Sequence, residues 1–367
     1  MAGRFEDYSD VGKTETGRLS TRYDIAPWLG IRGTVSDGDH APTLAQEHFG
    51  VANVGPAASG LANAENFSVF MPVASPGAAL LGAPPLRPEK SNDVSFGVTS
   101  QIMPTMSASV DVYQVFIQGR IVSTSSIGNN AATAACNAAC QTNANTLAAA
   151  AGAANGVSLP GAVAGNPFAG GSTISAFFLT NGANTRSRGI DIGWDWKQDL
   201  GKYGSIKWSL AGNLNLNQVT GQATPPKVFL NAGITQLLTT SSIITDMKDL
   251  PISHISLSPT WTMGPYMAEV RVNRWGHWDT VTTYGTPVVV YPIFEHTKYV
   301  TDAMTSYKIT PSTKLAIGCT NCFDILPPET PLFLRRPPNS SKGGGGYVTP
   351  PWGLDGTFGY ARLVYSF

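Results

Sequence analysis

"SIKWSLAGNLNLNQVT", residues 205–220, alternates along nearly its whole length. Ile206, Trp208, Leu210, Leu214 and Leu216 fall on one face, and Lys207, Ser209, Asn213, Asn215 and Asn217 fall on the other. Period two is the mark of a strand with one apolar and one wet face. In "RGIDIGWDW" (188–196), Ile190, Ile192, Trp194 and Trp196 oppose Asp191, Gly193 and Asp195. In "HISLSPTW" (254–261), Ile255, Leu257, Pro259 and Trp261 oppose Ser256, Ser258 and Thr260. The chain stops on the same pattern, "FGYARLVYSF" (358–367), with Gly359, Ala361, Leu363, Tyr365 and Phe367 on one side. Tyr360, Arg362 and Ser366 take the other side, with Val364 the one intruder. The apolar faces end in Trp, Tyr or Phe, as faces that meet a membrane interface do.

Composition agrees with sheets of that kind. Of 367 residues only 13% are charged, about half the usual share for a soluble globular protein, and there are 39 Gly and 26 Pro. Lys plus Arg and Asp plus Glu balance at 24 each, so no basic field points to nucleic acid. No run of about 18 apolar residues occurs, which excludes a transmembrane helix. The first 18 residues, "MAGRFEDYSDVGKTETGR", carry charges throughout and do not read as a signal peptide.

Twelve strands are expected, at 2–10, 14–25, 27–37, 89–103, 105–123, 184–199, 203–221, 251–264, 265–280, 293–309, 311–324 and 355–367. Short Pro-containing turns at Ala26–Pro27, Met103–Thr105, Gly264–Pro265 and Thr310–Pro311 alternate with long stretches. The long stretches are 38–88, 124–183, 222–250, 281–292 and 325–354. The expected architecture is all-β: an antiparallel up-and-down meander with two unlike ends, as in transmembrane barrels with tight inner turns and long outer loops. The Ala- and Asn-rich stretch 124–183 shows no helical apolar face and reads as an exposed loop. Within it Cys136 and Cys140 are four apart, within reach of a disulfide across one turn.

These residues bring a family into view. The chain resembles the C-terminal barrel portion of a TonB-dependent outer-membrane receptor. The resemblance rests on "RFEDYSDVGKTETGRLSTRYDIAPWLGIRGTVSDGDHAPTLAQ" (4–46), "LRPEKSNDVSFGV" (86–98) followed by "SASVDVYQVFIQGRI" (107–121), "TRSRGIDIGWDW" (185–196), "GCTNCFDILPPE" (318–329) and the final aromatic strand. It implies a barrel in the cell outer membrane, with the five long stretches as extracellular loops. Leu363, Tyr365 and Phe367 would then be the signal read by the barrel-assembly machinery, and outer-membrane lipid would surround the wall. The implied function is uptake of a scarce ligand, most simply an iron–siderophore complex, with TonB as partner of a full-length parent and no cofactor. Phe177, Phe178, Tyr284 and Tyr291 are the candidates for an aromatic binding mouth.

Some features depart from the family pattern. Gly38, Asp39 and His40 precede the "AP" pair where an apolar or aromatic residue is usual. Cys319 and Cys322 flank the Asn321–Asp324 motif, and on a regular strand residues three apart point to opposite faces. A disulfide there requires a bend. A redox or metal CxxC is the rival, but no second Cys or His pair accompanies it. The family's plug domain and TonB-contacting box are not in this sequence, and about twelve strands are fewer than the family's 22 or so. A barrel fragment from a truncated or split gene is therefore expected, open at its edges and inactive in transport as it stands.

Other functions fare worse. The five histidines (His40, His48, His254, His277 and His296) are scattered, so no enzyme is expected. "GGGG" at 343–346 lacks the Lys-Ser/Thr of a phosphate loop. A passive porin shares the barrel but not the ordered motifs. A soluble β-sandwich or propeller that binds carbohydrate would bury the Trp-rich faces between sheets.

Overall fold

The computed structural model describes residues 1–56, 64–128, 138–160, 162, 167–284, 289–329 and 350–366. From the start these form β1 (Ala2–Tyr8), β2 (Gly12–Ala26), β3 (Leu29–His40), helix α1 (Leu44–His48), β4 (Val51–Pro56), β5 (Glu65–Met71) and helix α2 (Pro76–Leu80). Then come β6 (Glu89–Met103), β7 (Met106–Ser123), β8 (Ile127–Gly128), helix α3 (Ala138–Ala154), β9 (Thr173–Asp199) and β10 (Ser205–Gln222). Helices α4 (Lys227–Asn231) and α5 (Thr240–Lys248) precede β11 (Ser253–Met263) and β12 (Tyr266–Trp275). The last strands are β13 (Trp278–Tyr284), β14 (Val289–Glu295), β15 (Lys298–Thr310), β16 (Thr313–Thr320) and β17 (Phe358–Tyr365).

All twelve expected strands are present, paired in sequence order as β1-β2-β3-β6-β7-β9-β10-β11-β12-β15-β16-β17. Every neighbouring pair on this path is antiparallel. The turns at Pro27, Pro104, Leu200–Gly204, Pro265 and Pro311 therefore lie at one end of the sheet, and the long connections lie at the other. One connection breaks the alternation: residues 9–11 join β1 to β2 by a tight turn at the long-connection end. Among the described residues β1 pairs only with β2 and β17 only with β16, so the sheet does not close on itself.

Register fixes what each face carries, because a one-residue slip would send every side chain to the opposite face. Tyr23 pairs Ile31, Ile31 pairs Val98, Val98 pairs Val110 and Val110 pairs Ile192. The same row continues through Gly212, Ile255, Arg274 and Tyr299. Ile206, Trp208, Leu210, Ile190, Trp194, Leu363 and Tyr365 share that face by the same pairing. Near the short turns the face is aromatic. Trp196 pairs Trp208, Trp261 pairs Ile206, and the Tyr266 and Tyr307 rings lie 4.9 Å apart. Trp208 Nε1 donates to Gln198 Oε1 at 3.2 Å, and Trp261 Nε1 donates to the Tyr203 carbonyl at 2.8 Å. An apolar ring with its N–H anchored to a polar partner suits a boundary between hydrocarbon and water. Among the described residues no second sheet covers this face: Ile192, Phe96 and Leu363 remain 43%, 51% and 66% exposed.

The long connections are not the exposed loops that low complexity suggests. α3 sets Ala144, Ala148 and Ala151 fully inside, against Val69 and Met71 of β5 and Ile174, Ala176 and Phe178 of β9. Phe229, Ile234 and Leu237, from the connection between β10 and β11, complete that core. Its helical face is built of alanine, whose small side chain gives little apolar contrast with the Asn and Thr beside it. That is why period 3.6 is not visible in the sequence. A Cβ on Gly152 would stand 2.4 Å from Ile174 Cδ1, so the helix rides directly on the strand. β9 begins at Thr173 rather than near 184, and its first residues leave the wall to pair in parallel with β5. Residues 281–284 and 289–292, expected as parts of a loop, lie in the paired strands β13 and β14.

The face assignment makes a testable statement. Ile192→Arg, in the middle of the apolar face, should cost about 2–4 kcal/mol of unfolding free energy in lipid vesicles. Ser209→Arg, on the opposite face, should cost less than about 1 kcal/mol. Equal losses in a denaturant titration would mean the faces are wrongly assigned.

Candidate functional site

The second face of the wall is polar, and its charges are placed by glycines. Arg32 of β3 pairs Gly97 of β6, and Gly97 pairs Asp111 of β7. Arg32 Nε reaches across the glycine to Asp111 Oδ1 at 2.7 Å, and its Nη2 meets Oδ2. A Cβ at Gly97 would stand 1.9 Å from Asp111 Oδ1, so only glycine admits this bridge. Tyr113 lies over Gly189, where a Cβ would come within 2.3 Å of the ring, and Tyr360 lies over Gly318 in the same way. Such aromatic cover replaces the side chain that a strand glycine lacks. Along the same row, Asn213 Nδ2 donates to Asp191 Oδ1 at 2.6 Å and approaches Tyr113 Oη at 3.3 Å. Toward the short turns Ser209 donates to Asp195 Oδ1 at 2.6 Å, with Lys207 Nζ 3.2 Å from the same oxygen. A cleft of about 760 Å³ opens there, lined by Arg22, Asp24, Arg32, Gln101 and Asp195.

At the long-connection end the wall becomes aromatic and amide-rich. The His254 ring stacks on Trp275, with centroids 3.9 Å apart and planes 11° from parallel. His254 Nε2 lies 3.3 Å from Asn273 Oδ1, and Asn273 Nδ2 donates to Asp302 Oδ2 at 3.4 Å. Asp302 Oδ1 accepts the Asn321 N–H at 2.9 Å. Asn273, Trp275, Asp302, Asn321, Trp352 and Phe358 line a cleft of about 590 Å³ at the mouth. Nearby, burial raises the Glu295 carboxyl above the ordinary carboxylate range, with Lys298 and His296 pulling the other way.

The Asn321–Asp324 motif builds the mouth rather than offering chemistry. Asn321 and Asp324 adopt φ of 47° and 53°, the left-handed region that Asn and Asp tolerate better than other side chains. Asn321 Oδ1 accepts the Ile325 N–H at 2.8 Å while its Nδ2 donates to the Ile325 carbonyl at 3.0 Å. Asp324 Oδ1 accepts the Thr357 N–H at 3.0 Å, which ties the end of β16 to the start of β17. The bend required for a disulfide is thus supplied: Cys319 and Cys322 are bonded, with Cα atoms 5.4 Å apart.

The sequence candidates are scattered. Phe178 is fully buried against Phe229, with ring centroids 6.1 Å apart, so its ring belongs to the core. Phe177 points the other way and meets Phe70 edge-on at 5.1 Å; Phe70 in turn lies 5.8 Å from the exposed Phe49. Tyr284 pairs Val289 and Tyr291 pairs Thr282 in the β13–β14 hairpin. Leu363 and Tyr365 are exposed on the apolar face. Cys140 is buried and disulfide-bonded, while Cys136 and Phe367 lie outside the described residues. Sequence reasoning missed the mouth cluster of Asn273, Trp275, Asp302 and Trp352. Asn273 and Trp275 share one face of β12, but the sequence carries no sign of partners such as Asp302, 29 residues from Asn273.

Comparison with known proteins gives a consistent answer. Residues 1–322 match the family described as TonB dependent receptor-like, beta-barrel. No curated protein matches. Among solved structures, the siderophore receptor PirA from Acinetobacter baumannii superposes with a TM-score of 0.59 at 15% identity. That match covers 100% of this chain and 43% of the receptor. The ferric enterobactin receptor PfeA from Pseudomonas aeruginosa gives 0.56 at 12% identity, over 99% of this chain and 42% of its own. At such identities the likeness is one of fold, and this chain spans less than half the length of either receptor.

The glycine-framed bridge has a checkable consequence. Gly97→Ala should displace the Asp111 carboxylate and cost about 1–3 kcal/mol. Gly55→Ala, whose Cβ would have nothing within 4 Å, should be near neutral by the same denaturation assay. A silent Gly97→Ala would mean that the bridge does not need the glycine.

Proposed function

Because this chain belongs to the TonB-dependent receptor-like β-barrel family, we propose that it forms part of the wall of an outer-membrane uptake barrel. The observation that carries this reading is the division, in one register, of twelve paired strands into a mainly apolar face and a polar face. The cargo we favour is an iron–siderophore complex, by analogy with neighbours named as siderophore and ferric enterobactin receptors. On this reading the apolar face meets outer-membrane lipid, and the short turns face the periplasm. The stretches 38–88, 124–183, 222–250, 281–292 and 325–354 lie outside the cell. Leu363, Tyr365 and Phe367 address the chain to the barrel-assembly machinery, and Cys136 pairs with Cys140 in the oxidising exterior.

Transport belongs to the whole protein. The unpaired edges of β1 and β17 require further strands, since each open backbone group costs several kcal/mol in hydrocarbon. A plug to gate the lumen and a segment to receive energy from TonB are also required, and both are assigned to the rest of a full-length parent. A passive porin is disfavoured because the family match is to receptor barrels.

Complementation separates these roles. In a receptor-deleted strain, residues 1–367 behind an added signal peptide should give no ferric-chelate uptake above the empty vector. Fusion to a plug and the remaining strands should restore it. Energised uptake by residues 1–367 alone would contradict the reading.

A further inference from the structure

The turn after β16 is organised around one residue. Asn321 stands in the left-handed region, at φ 47°, and is buried. Its N–H donates to Asp302 Oδ1 at 2.9 Å, and its side-chain amide bonds both backbone groups of Ile325. Its carbonyl accepts the Thr357 hydroxyl at 2.8 Å. The next N–H, of Cys322, donates to the Thr301 carbonyl at 2.7 Å, and the Ile325 carbonyl accepts Trp352 Nε1 at 3.2 Å. Left-handed backbone is costly for a residue with a Cβ, so the bonds made through Asn321 stand or fall together with its φ angle.

That residue lies inside a covalent ring. Cys319 and Cys322 enclose only Thr320 and Asn321, and both of these line the mouth cleft with Trp352. On an uninterrupted strand the two cysteines would point to opposite faces, with Cα atoms about 10 Å apart. The disulfide therefore forbids the extended form of this segment and admits the bent one. Access separates this disulfide from the chain's other one. Cys319 and Cys322 are half-buried, whereas Cys140, also disulfide-bonded, is buried in the core of the cap. Exchange requires a thiolate to reach a sulfur, so a small thiol meets the first pair before the second.

We propose that Cys319–Cys322 is a thiol-exchange site whose redox state latches the mouth cleft. The co-reactant is a small-molecule thiol. Its thiolate attacks one cysteine sulfur, the S–S bond breaks, and a mixed disulfide forms while the other cysteine leaves as thiolate and takes up a proton. A second thiol resolves the mixed disulfide, so the protein gains two electrons and two protons while two thiols become one disulfide. The oxidised small molecule reverses both steps. With the ring closed, Thr320, Asn321 and Trp352 hold one wall of the cleft. With it open, Asn321 can leave the left-handed region and release the bonds made through it. The latch rests on the geometry of this turn and not on the cargo or the membrane orientation.

The full chain in lipid vesicles is titrated with dithiothreitol. Alkylation of freed thiols, read by mass spectrometry, follows each cysteine, and hydrogen exchange follows the amides of Asn321, Cys322, Ile325 and Thr357. Cys319 and Cys322 should be alkylated at lower reductant than Cys140. Exchange at the four amides should then rise about ten- to thirty-fold, return on reoxidation, and leave the paired amides of β9 and β10 unchanged. Cys319→Ser with Cys322→Ser should show the faster exchange without reductant. Reduction no easier than that of Cys140, or unchanged exchange at the four amides once the bond is open, overturns the latch. Equal gains throughout β9 and β10 mark global unfolding and overturn it too.

Discussion

In hydrocarbon there is no water to satisfy a backbone N–H or C=O, so a membrane-crossing strand must find every partner in its neighbours. Lateral pairing in one register governs the rest of this structure. The pairing carries a row from Tyr23 to Tyr299 across nine strands on the apolar face. The adjacent row on the polar face runs from Arg22 through Arg32, Gly97, Asp111, Asp191, Asn213, His254 and Trp275 to Lys298. The make-up of the apolar face, the charges of the polar face and the aromatic cluster at the long-connection end are thus three readings of a single hydrogen-bond pattern. Where the pattern stops, at β1 and β17, the need for further strands begins.

The long connections follow a different rule. Outside the wall they are free to bury apolar surface in the ordinary way, and they do so around β9. The first residues of that strand stand clear of the wall and serve as the floor for α3 and the neighbour of β5. The cap is therefore rooted in the same strand that lines the barrel. The mouth is tied down separately, by the Asn321 and Asp324 turn that joins β16 to β17.

The sequence was legible where chemistry alternates strongly. Trp208 beside Lys207 and Ser209, or Ile192 between Asp191 and Gly193, announce both strand and face, and all twelve wall strands follow from such contrasts. It was opaque where apolar residues are small or long-range partners decide. Ala144, Ala148 and Ala151 bury completely yet look like low-complexity loop. Phe177 and Phe178 look alike in sequence, but alternation sends one toward Phe70 and the other into the core. The mouth residues Trp275 and Asp302 meet only because β12 and β15 pair across the β13–β14 hairpin.

The central claim is that one face of this sheet lies in lipid and the other does not. Seven of the eight tryptophans test it directly. In vesicles made with brominated acyl chains, single-tryptophan variants retaining Trp194, Trp196, Trp208 or Trp261 should be strongly quenched. Variants retaining Trp275, Trp278 or Trp352, at the mouth and in the cap, should keep their fluorescence. Quenching of the second group, or none in the first, would contradict the account.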